Sequence, residues 1–330
     1  MLLPAFRYVR PRDLGEAVAA LAAGGEGASL LAGGTDLLIS MRQGLVTPAT
    51  LIGIRGLAEL NGIDLDGTGV LRIGAGVALT DLAEHPMIVE RYPALAQAAR
   101  SVGSRHVRNM ATLGGNLRLP TRCWYTNQSE NWRASRAPCW KTDGGLCHVI
   151  KTSTTCRAIN SSDTAPALLA LQAMVRARSV RGEREVRLAD FYKDDGVNHT
   201  TLASDEIITA VLVPAARDRA LFTKAAPRTG LDYGYGTLAA AVTGSNKAIK
   251  SARLVAGSVG SWPVLLERAG QIVVERGLNE AAIAAAADAA REDLGEVANL
   301  FSPPGYKKRL VRGLVLQVLE QLRRQKVPVA

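Results

Sequence analysis

All the cysteines of this 330-residue chain lie in one segment, which strongly limits what that segment can fold into. Gaps of 15, 7 and 8 residues separate them: Cys123, Cys139, Cys147 and Cys156. Four thiols are the number that closes one tetrahedral zinc site or holds one iron–sulfur cluster. The same segment carries three of the four tryptophans of the chain: Trp124, Trp132 and Trp140. We therefore predict sulfur ligands shielded by apolar side chains.

Three kinds of site could use these thiols. Structural zinc sites usually have cysteine pairs spaced by about two to four residues, and this chain has no such pair. No signal peptide or apolar run of membrane-spanning length is visible, so we predict a cytoplasmic protein without a membrane span. Cytoplasmic thiols stay reduced, which disfavours disulfides. The pattern favours an iron–sulfur cluster, with a non-redox, zinc-stapled binding module as the alternative.

Composition indicates an ordinary globular protein. Hydrophobic residues make up 47% of the chain and charged residues 21%. The length suits about two or three domains. The formal net charge is +10, but the basic residues are widely spread, so we predict no nucleic-acid partner. We interpret His85 and His199 as residues of surface loops.

The apolar pattern predicts an α+β chain in three parts. Residues 1–55 form a small α/β unit, with a helix over Arg12–Leu21 and strands over Ser29–Ala32 and Leu51–Ile54. Residues 56–215 begin with a strand over Leu71–Val77 and a helix capped by Thr80. In residues 216–330 strands precede two long helices, so we expect a sheet with helices on one face.

Two glycine-rich loops lie where helices are predicted to start. One spans Ala32–Asp36 and the other Thr112–Asn116. Glycine lets the backbone turn sharply and approach a ligand, and a helix N-terminus adds partial positive charge, which together suit a pyrophosphate. Neither loop matches the common nucleotide-binding fingerprints, and one such loop alone is more often a tight turn. Two loops in one chain favour a dinucleotide held between two subdomains.

The strings around these loops resemble a known family. LLAGGTDLLISMRQG and HVRNMATLGGNL resemble the flavin-binding loops of the FAD-binding subunits of molybdenum hydroxylases, which include xanthine dehydrogenase and carbon monoxide dehydrogenase. SSDTAPALLALQA and LFTKAAPRTGLDYGYGTLAAAV resemble later segments of these subunits. The resemblance implies a two-subdomain FAD-binding fold of the vanillyl-alcohol-oxidase and CO-dehydrogenase flavoprotein type, plus a C-terminal α+β domain.

The same resemblance implies which residues contact FAD. For Asp163 the alternative is a simple helix cap, and for Lys224 it is a solvated strand residue. The implied FAD contacts are Leu31, Ala32, Gly33, Gly34, Thr35, Asp36, Leu37, Thr112, Leu113, Gly114, Gly115, Asn116, Asp163 and Lys224. No catalytic residue is predicted, since a flavin transfers electrons by its own chemistry.

A segment between the second loop and Asp163 makes the resemblance more specific. Residues 119–161 separate the second loop from Asp163 and are too many for an ordinary loop. Their strings TRCWYTNQSENWR, CWK, GGLCHVI and TTCRA resemble the insert of the β subunit of 4-hydroxybenzoyl-CoA reductase. This implies a [4Fe–4S] cluster on all four cysteines, in an insert that we predict to be a module grafted onto the flavin fold. We interpret His148 as a polar contact rather than a fifth ligand.

Function and partners follow from the resemblance alone. It implies an electron-transfer subunit of an oxidoreductase that is inactive on substrate by itself. Its partners would be a molybdopterin-binding large subunit and a [2Fe–2S] small subunit, in a dimer of heterotrimers. As in the reductase, electrons would run from a ferredoxin-like protein through [4Fe–4S], FAD and [2Fe–2S] to molybdenum, where an aromatic CoA thioester loses a hydroxyl group. The alternative is an oxidative hydroxylase acting on an aldehyde or N-heterocycle.

Overall fold

The computed structural model describes residues 3–216, 219–228, 230–295, 303 and 305–325. Within these residues the strands form three sheets, each in a different stretch of the chain. Residues 217, 218, 229, 296–302, 304 and 326–330 of the predicted last domain lie outside the described residues, and the division at residues 55 and 215 stays a prediction. Among the described residues, no helix combines the length and apolar character needed to cross a membrane.

The N-terminal sheet is parallel, with the strand order β1-β3-β2. Its elements are β1 (Arg7–Val9), α1 (Leu14–Gly24), β2 (Ala28–Leu31) and β3 (Thr50–Gly53). Helix α1 begins at Leu14 rather than Arg12, because the Asp13 side chain accepts a hydrogen bond from the Glu16 N–H at 2.8 Å and so caps the helix. Leu14 and Val18 pack into the small core of this sheet, as their spacing predicted.

The middle sheet is antiparallel, with the strand order β4-β5-β8-β6-β7. Its strands are β4 (Ile63–Leu65), β5 (Leu71–Gly74), β6 (Met174–Ser179), β7 (Gly182–Arg187) and β8 (Ile207–Val213). Strand β5 ends at Gly74 rather than Val77, because the chain turns there and the Val77 N–H donates to the Gly74 carbonyl at 3.1 Å.

Short helices surround the first two sheets and the insert. They are α2 (Leu37–Arg42), α3 (Leu79–Glu84), α4 (Pro86–Arg91), α5 (Pro93–Ser101), α6 (Arg105–Met110), α7 (Leu113–Leu117), α8 (Glu130–Ala134), α9 (Thr164–Ala170) and α10 (Leu188–Phe191). The prediction that Thr80 caps this helix is wrong. Helix α3 begins at Leu79, and the Thr80 hydroxyl donates to Asn109 Oδ1 at 2.6 Å. Across residues 119–161, all of them described, α8 is the only α-helix.

The C-terminal sheet is antiparallel, with the strand order β12-β11-β10-β9. Its elements are β9 (Arg219–Ala225), β10 (Gly236–Ser245), β11 (Ala248–Gly257), β12 (Val264–Leu265), α11 (Glu267–Arg276), α12 (Glu280–Asp293) and α13 (Tyr306–Arg324). Leu238 and Ala240 of β10 belong to the core shared with α11–α13, whereas Ala239 and Ala241 face α5 and α9. The predicted helices on one face are confirmed, and helices from the middle of the chain cover the other face.

A lysine is buried where the C-terminal helix begins. Lys307 lies in the first turn of α13, is 2% exposed and donates to the Ser258 carbonyl at 2.5 Å. Burial lowers the pKa of Lys307 to about 8, because an ammonium group loses its hydration inside the protein. An unfolded chain keeps the ordinary lysine pKa of about 10.4. Folding therefore pays a penalty at neutral pH for this amine.

We expect Lys307→Met to stabilise the protein at pH 7 by about 1–3 kcal/mol, after subtraction of the lost hydrogen bond. Between the folded pKa of about 8 and the unfolded pKa of about 10.4, only the unfolded chain binds the proton, so wild-type stability should rise with pH in this window. The variant should lack that rise. Urea unfolding at neutral and alkaline pH measures both effects, and a variant less stable than wild type at pH 7 would contradict the expectation.

Candidate cofactor sites

The first glycine-rich loop docks on the backbone that precedes the second. A Cβ on Gly33 would lie 2.0 Å from the Met110 carbonyl oxygen, a distance that real Cβ atoms essentially never show. Gly34 has φ +71°, in the left-handed region, and its carbonyl accepts from the Leu38 N–H at 3.2 Å as α2 begins. Residues 31–37 are all half-buried. The loop thus combines close backbone approach with partial exposure.

The second loop is held by its own hydrogen bonds and by Ala75. The Gly114 N–H donates to the Ala75 carbonyl at 2.8 Å, and a Cβ on Gly114 would lie 2.8 Å from Ala75 Cβ. The Thr112 side chain caps α7 by accepting from the Gly115 N–H at 3.2 Å. The Leu113 side chain is fully buried, whereas Gly115 is exposed. A ligand at this loop would therefore meet backbone rather than the leucine side chain.

Asn116 connects the second loop to the segment around Asp163. Its side-chain oxygen accepts from the Ser162 hydroxyl at 2.8 Å and from the Thr164 hydroxyl at 2.7 Å. These two residues flank Asp163, and all four are buried. The predicted FAD contact of Asn116 stays a prediction. Its side-chain oxygen already accepts the two hydrogen bonds that position Asp163.

Asp163 and Lys224 form a buried ion pair. Lys224 Nζ lies 2.6 Å from Asp163 Oδ2, and the Ser101 hydroxyl donates to the same oxygen at 3.1 Å. Burial raises the pKa of Asp163, and the Lys224 ammonium opposes that rise. The alternative roles are wrong: Asp163 makes no capping bond to α9, and the Lys224 side chain is only 11% exposed.

The other carboxylate oxygen of Asp163 is available to a ligand. Oδ1 is buried and has no hydrogen-bond partner among the described residues. Buried acceptors in proteins nearly always have a donor, so an open one indicates a place for a bound group. Ser101, the last residue of α5, also belongs to this site and was not predicted from the sequence.

A cleft of about 320 Å³ opens beside the second loop. It is lined by Arg55, Asn61, Gly62, Ile63, Gly76, Val77, Ala78 and Asp81. Ala78 pairs with Thr112 in a β-bridge, so the cleft and the loop share a wall. Arg55 also donates to the Asn109 carbonyl at 3.1 Å. The glycine contact, the open carboxylate oxygen and this cleft fit FAD, because dinucleotide sites combine backbone approach with a few convergent polar groups.

The four cysteines line one small cavity. Its lining consists of Cys123, Cys139, Cys147 and Cys156, together with Tyr125, Thr126, Trp140, Leu146, His148, Arg157 and Ala158. All four cysteines are free. The Ile150 N–H donates to Cys147 Sγ at 3.4 Å, and the Thr142 hydroxyl lies 3.7 Å from Cys139 Sγ. Donors directed at sulfur within mostly apolar walls are typical of thiolate–metal sites.

Cys123 and Cys156 hold protonated thiols at neutral pH unless a metal binds. Burial raises the pKa of Cys123 and raises that of Cys156 to about 11. Ligation needs thiolates, so metal binding here must release protons. No three His, Cys, Asp or Glu side chains in the described ranges lie close enough together to hold a metal ion. The cluster predicted from the sequence therefore stays a prediction.

The prediction that the three tryptophans of the insert shield the cysteines is partly wrong. Trp140 lines the cavity, but Trp124 is 51% exposed and Trp132 instead packs under the Arg136 guanidinium at 4.2 Å. The predicted polar contact of His148 is confirmed, since its Nε2 lies 2.8 Å from the Ala137 carbonyl.

His199 was predicted on a surface loop and this is wrong. It is 4% exposed and lies 3.4 Å from Arg118. Burial and the Arg118 charge lower the pKa of His199 to about 4, so the imidazole is neutral.

Two residues beside the cysteines escaped sequence analysis. Lys141 donates to the Thr121 carbonyl at 2.6 Å, and burial lowers its pKa while the neighbouring thiols Cys156 and Cys123 oppose this. Gly196 lies against Cys156, because a Cβ there would be 2.7 Å from the sulfur. Lys141 follows Cys139 closely enough to have been suspected, whereas the distant Gly196 carried no signal.

Comparison with known proteins decides the family. Residues 4–216 match the family described as "FAD binding domain in molybdopterin dehydrogenase", and residues 222–322 match the "CO dehydrogenase flavoprotein C-terminal domain". The chain belongs to the FAD-binding subunits of the molybdenum hydroxylases. It is therefore an FAD-binding oxidoreductase subunit, as the first resemblance predicted.

Similar proteins cover nearly the whole chain. The aldehyde oxidoreductase FAD-binding subunit PaoB of Escherichia coli (strain K12) is 33% identical over 98% of this chain and 100% of its own length. The nicotinate dehydrogenase FAD-subunit of Eubacterium barkeri is 28% identical over 89% of each chain. A solved structure of carbon monoxide dehydrogenase from Hydrogenophaga pseudoflava superposes with a TM-score of 0.81 at 26% identity, covering 97% of this chain and 98% of that chain. The predicted fold is confirmed.

We expect Gly33→Ala to weaken FAD binding about tenfold, a loss near 1.4 kcal/mol. The new Cβ would push the first loop off the Met110 carbonyl. Gly56→Ala is the matched control, because a Cβ at Gly56 meets nothing within 4 Å and should leave FAD binding unchanged. Flavin fluorescence titration of the flavin-depleted protein gives both dissociation constants. Equal affinity in the two variants would disprove the importance of the loop contact.

Proposed function

We propose that this chain carries FAD and one [4Fe–4S] cluster and transfers electrons within a molybdenum-dependent oxidoreductase complex. The observation that carries the proposal is the link between the four-cysteine cavity and the first flavin loop. Arg122 directly precedes Cys123 and forms an ion pair with Asp36 of that loop. Two redox groups held by directly connected segments are suited to exchanging electrons.

FAD, when bound, supplies reversible transfer of one or two electrons. The backbone of Gly33, Gly34 and Gly115 would hold its phosphates, at loops where the backbone is accessible. Asp163 Oδ1 would accept a hydrogen bond from the cofactor, while the Lys224 ammonium pairs with the buried carboxylate and holds it in place. These residues bind and orient, and none is needed as an acid, base or nucleophile.

Four observations support a cluster at the cysteines. All four thiols line one cavity, its walls are mostly apolar, hydrogen-bond donors point at two of the sulfurs, and the half-buried Lys141 places positive charge nearby. Apolar walls disfavour added negative charge, whereas Lys141 favours it, so the two together set the potential. The zinc-stapled module has no comparable support, because the cysteine spacing lacks the pairs that zinc sites use.

The complex oxidises an aldehyde or an N-heterocycle in this proposal. The names of full-length relatives support this direction: one is an aldehyde oxidoreductase subunit, another a nicotinate dehydrogenase subunit, and a third, from Paenarthrobacter nicotinovorans, a nicotine 6-hydroxylase subunit. Electrons would then leave molybdenum, pass through FAD and exit at the cysteine insert. The second candidate is reductive dehydroxylation of an aromatic CoA thioester, which the strings of the insert favour.

The proposal includes partners. Relatives named as medium chains or medium subunits of carbon monoxide dehydrogenase and nicotine 6-hydroxylase work with other chains. We infer a molybdopterin-binding large subunit and a [2Fe–2S] small subunit, in a dimer of heterotrimers in the cytoplasm, with a ferredoxin-like protein as the external electron partner. This chain alone would not turn over substrate.

Analysis of the anaerobically purified complex tests the proposal. We expect one FAD per copy of this chain and, beyond the iron and sulfide of the [2Fe–2S] small subunit, about four further iron and four further sulfide, following the cluster type. Anaerobic addition of an aldehyde or N-heterocycle should bleach the flavin absorbance, which supports the oxidative direction. Zinc, with no iron or acid-labile sulfide beyond that of the [2Fe–2S] subunit, would refute the cluster, and a flavin reduced only by a reduced ferredoxin would favour the dehydroxylase.

Gly196 gives a sharper test of the cysteine site. We expect Gly196→Ala to lower the iron content per chain, because the new methyl group would displace Cys156 Sγ. Gly145→Ala is the matched control inside the insert, since a Cβ at Gly145 meets nothing within 4 Å. Iron and FAD are assayed together, and both should be retained in Gly145→Ala. Full iron content in Gly196→Ala would show that this contact does not shape the site.

A further inference from the structure

The cysteine insert holds α2, the helix that follows the first flavin loop, at both ends. At the first end, the Arg122 guanidinium pairs with the carboxylate of Asp36, the residue before α2. At the second end, Arg133 Nη2 donates to the carbonyls of Gln43 and Gly44, each at 3.0 Å. Both arginines belong to the insert, and Asp36 belongs to the loop.

Both arginines are anchored in the fold that surrounds the cysteines. Arg122 exchanges backbone hydrogen bonds with Ile159 at 2.7 and 2.8 Å, which joins the two ends of the insert just outside Cys123 and Cys156. Arg133 lies on α8 and also donates to the Gln128 carbonyl. The position of each guanidinium therefore depends on how the insert is folded.

Helix α2 needs such support. It spans six residues, Leu37–Arg42, and isolated helices shorter than about 12 residues are marginal in water. The Asp36 side chain makes no capping bond to α2 and is used by Arg122 instead. At the other end Arg133 donates to the carbonyls of the C-cap residue Gln43 and of Gly44, which follows it, and its charge lies at the negative end of the helix dipole.

The contact at Asp36 lies where the cofactor loop turns into the helix. Gly33, Gly34 and Thr35 precede Asp36 directly, and the Asp36 carbonyl accepts from the Ser40 N–H at 2.9 Å. The Arg122 and Asp36 side chains are only 17% and 23% exposed, so water screens their attraction weakly. A shift of Arg122 would move the loop and the start of α2 together.

We propose that Arg122 and Arg133 clamp α2 and thereby hold the first flavin loop in its binding geometry, so that FAD binds tightly only when the insert is folded around its cluster. The coupling to the cluster rests on the proposed function. Because binding free energies are reciprocal, FAD should in turn stabilise the cluster-loaded insert. Arg122 and Arg133 are then positioning residues for the flavin.

Hydrogen exchange and flavin titration of the full-length protein, in its complex, test the clamp. Arg122→Gln and Arg133→Gln each remove one arm, and Lys151→Gln removes an exposed charge of the same insert as the control. We expect amides of residues 37–44 to exchange faster in both arginine variants, and the FAD dissociation constant to rise about tenfold. Arg133→Lys keeps a donor for one carbonyl and should fall between Arg133→Gln and wild type.

Chelation tests the coupling. Protein stripped of iron anaerobically should show the same faster exchange over residues 37–44 and the same weaker FAD binding as the arginine variants. Unchanged exchange in both arginine variants would overturn the clamp, and tight FAD binding after iron removal would overturn its link to the cluster. A wild-type protein without FAD or iron would instead refute the proposed function, and the exchange experiment would still decide whether Arg122 and Arg133 hold α2.

Discussion

The site depends on one close backbone contact, that of Gly33 with the Met110 carbonyl. The two glycine-rich loops come from different sheets, and any side chain at Gly33 would separate them. Hydrogen bonds then extend the contact: Thr112 pairs with Ala78 at the cleft, and Asn116 holds the turn that carries Asp163. A dinucleotide bound between these segments would touch three distant parts of the sequence without any of them having to move far.

The Asp163–Lys224 pair ties the third part of the chain to this arrangement. Lys224 lies on β9 of the C-terminal sheet. The inner face of this sheet packs on α9, and Asp163 is the residue that directly precedes α9. Removing one partner of a buried ion pair typically costs about 3–5 kcal/mol, because the other charge is left without compensation. The pair is a poor source of stability compared with apolar packing, and its open Oδ1 indicates that it is kept for a ligand.

Short sequence patterns predicted those parts of the site that are formed by residues adjacent in sequence. The glycine loops, the Asp163 segment and the four cysteines were each visible as short strings. The structure brings the first loop against the backbone before the second, joins Asn116 to the segment around Asp163 and lines one cavity with the four cysteines. Gly196, Ser101 and the arginine contacts could not be predicted, because each depends on residues far away in sequence. The prediction that Trp124 shields the cysteines failed for the same reason, because aromatic composition indicates a shielded segment but does not show which rings face inward.

The insert is more than an addition to the flavin fold, and its charge states explain why. Burial raises the pKa of Cys123 and of Cys156, so without metal the insert surrounds protonated thiols at these two positions. In the proposed function, metal binding would exchange those protons for bonds that fix Cys123 and Cys156, the neighbours of the Arg122–Ile159 pairing. Since Arg122 also pairs with Asp36, the order created at the sulfur atoms would extend to the flavin loop. The two cofactors would therefore be coupled through the folding of the protein between them, and acidification, which returns protons to the thiols, would weaken both.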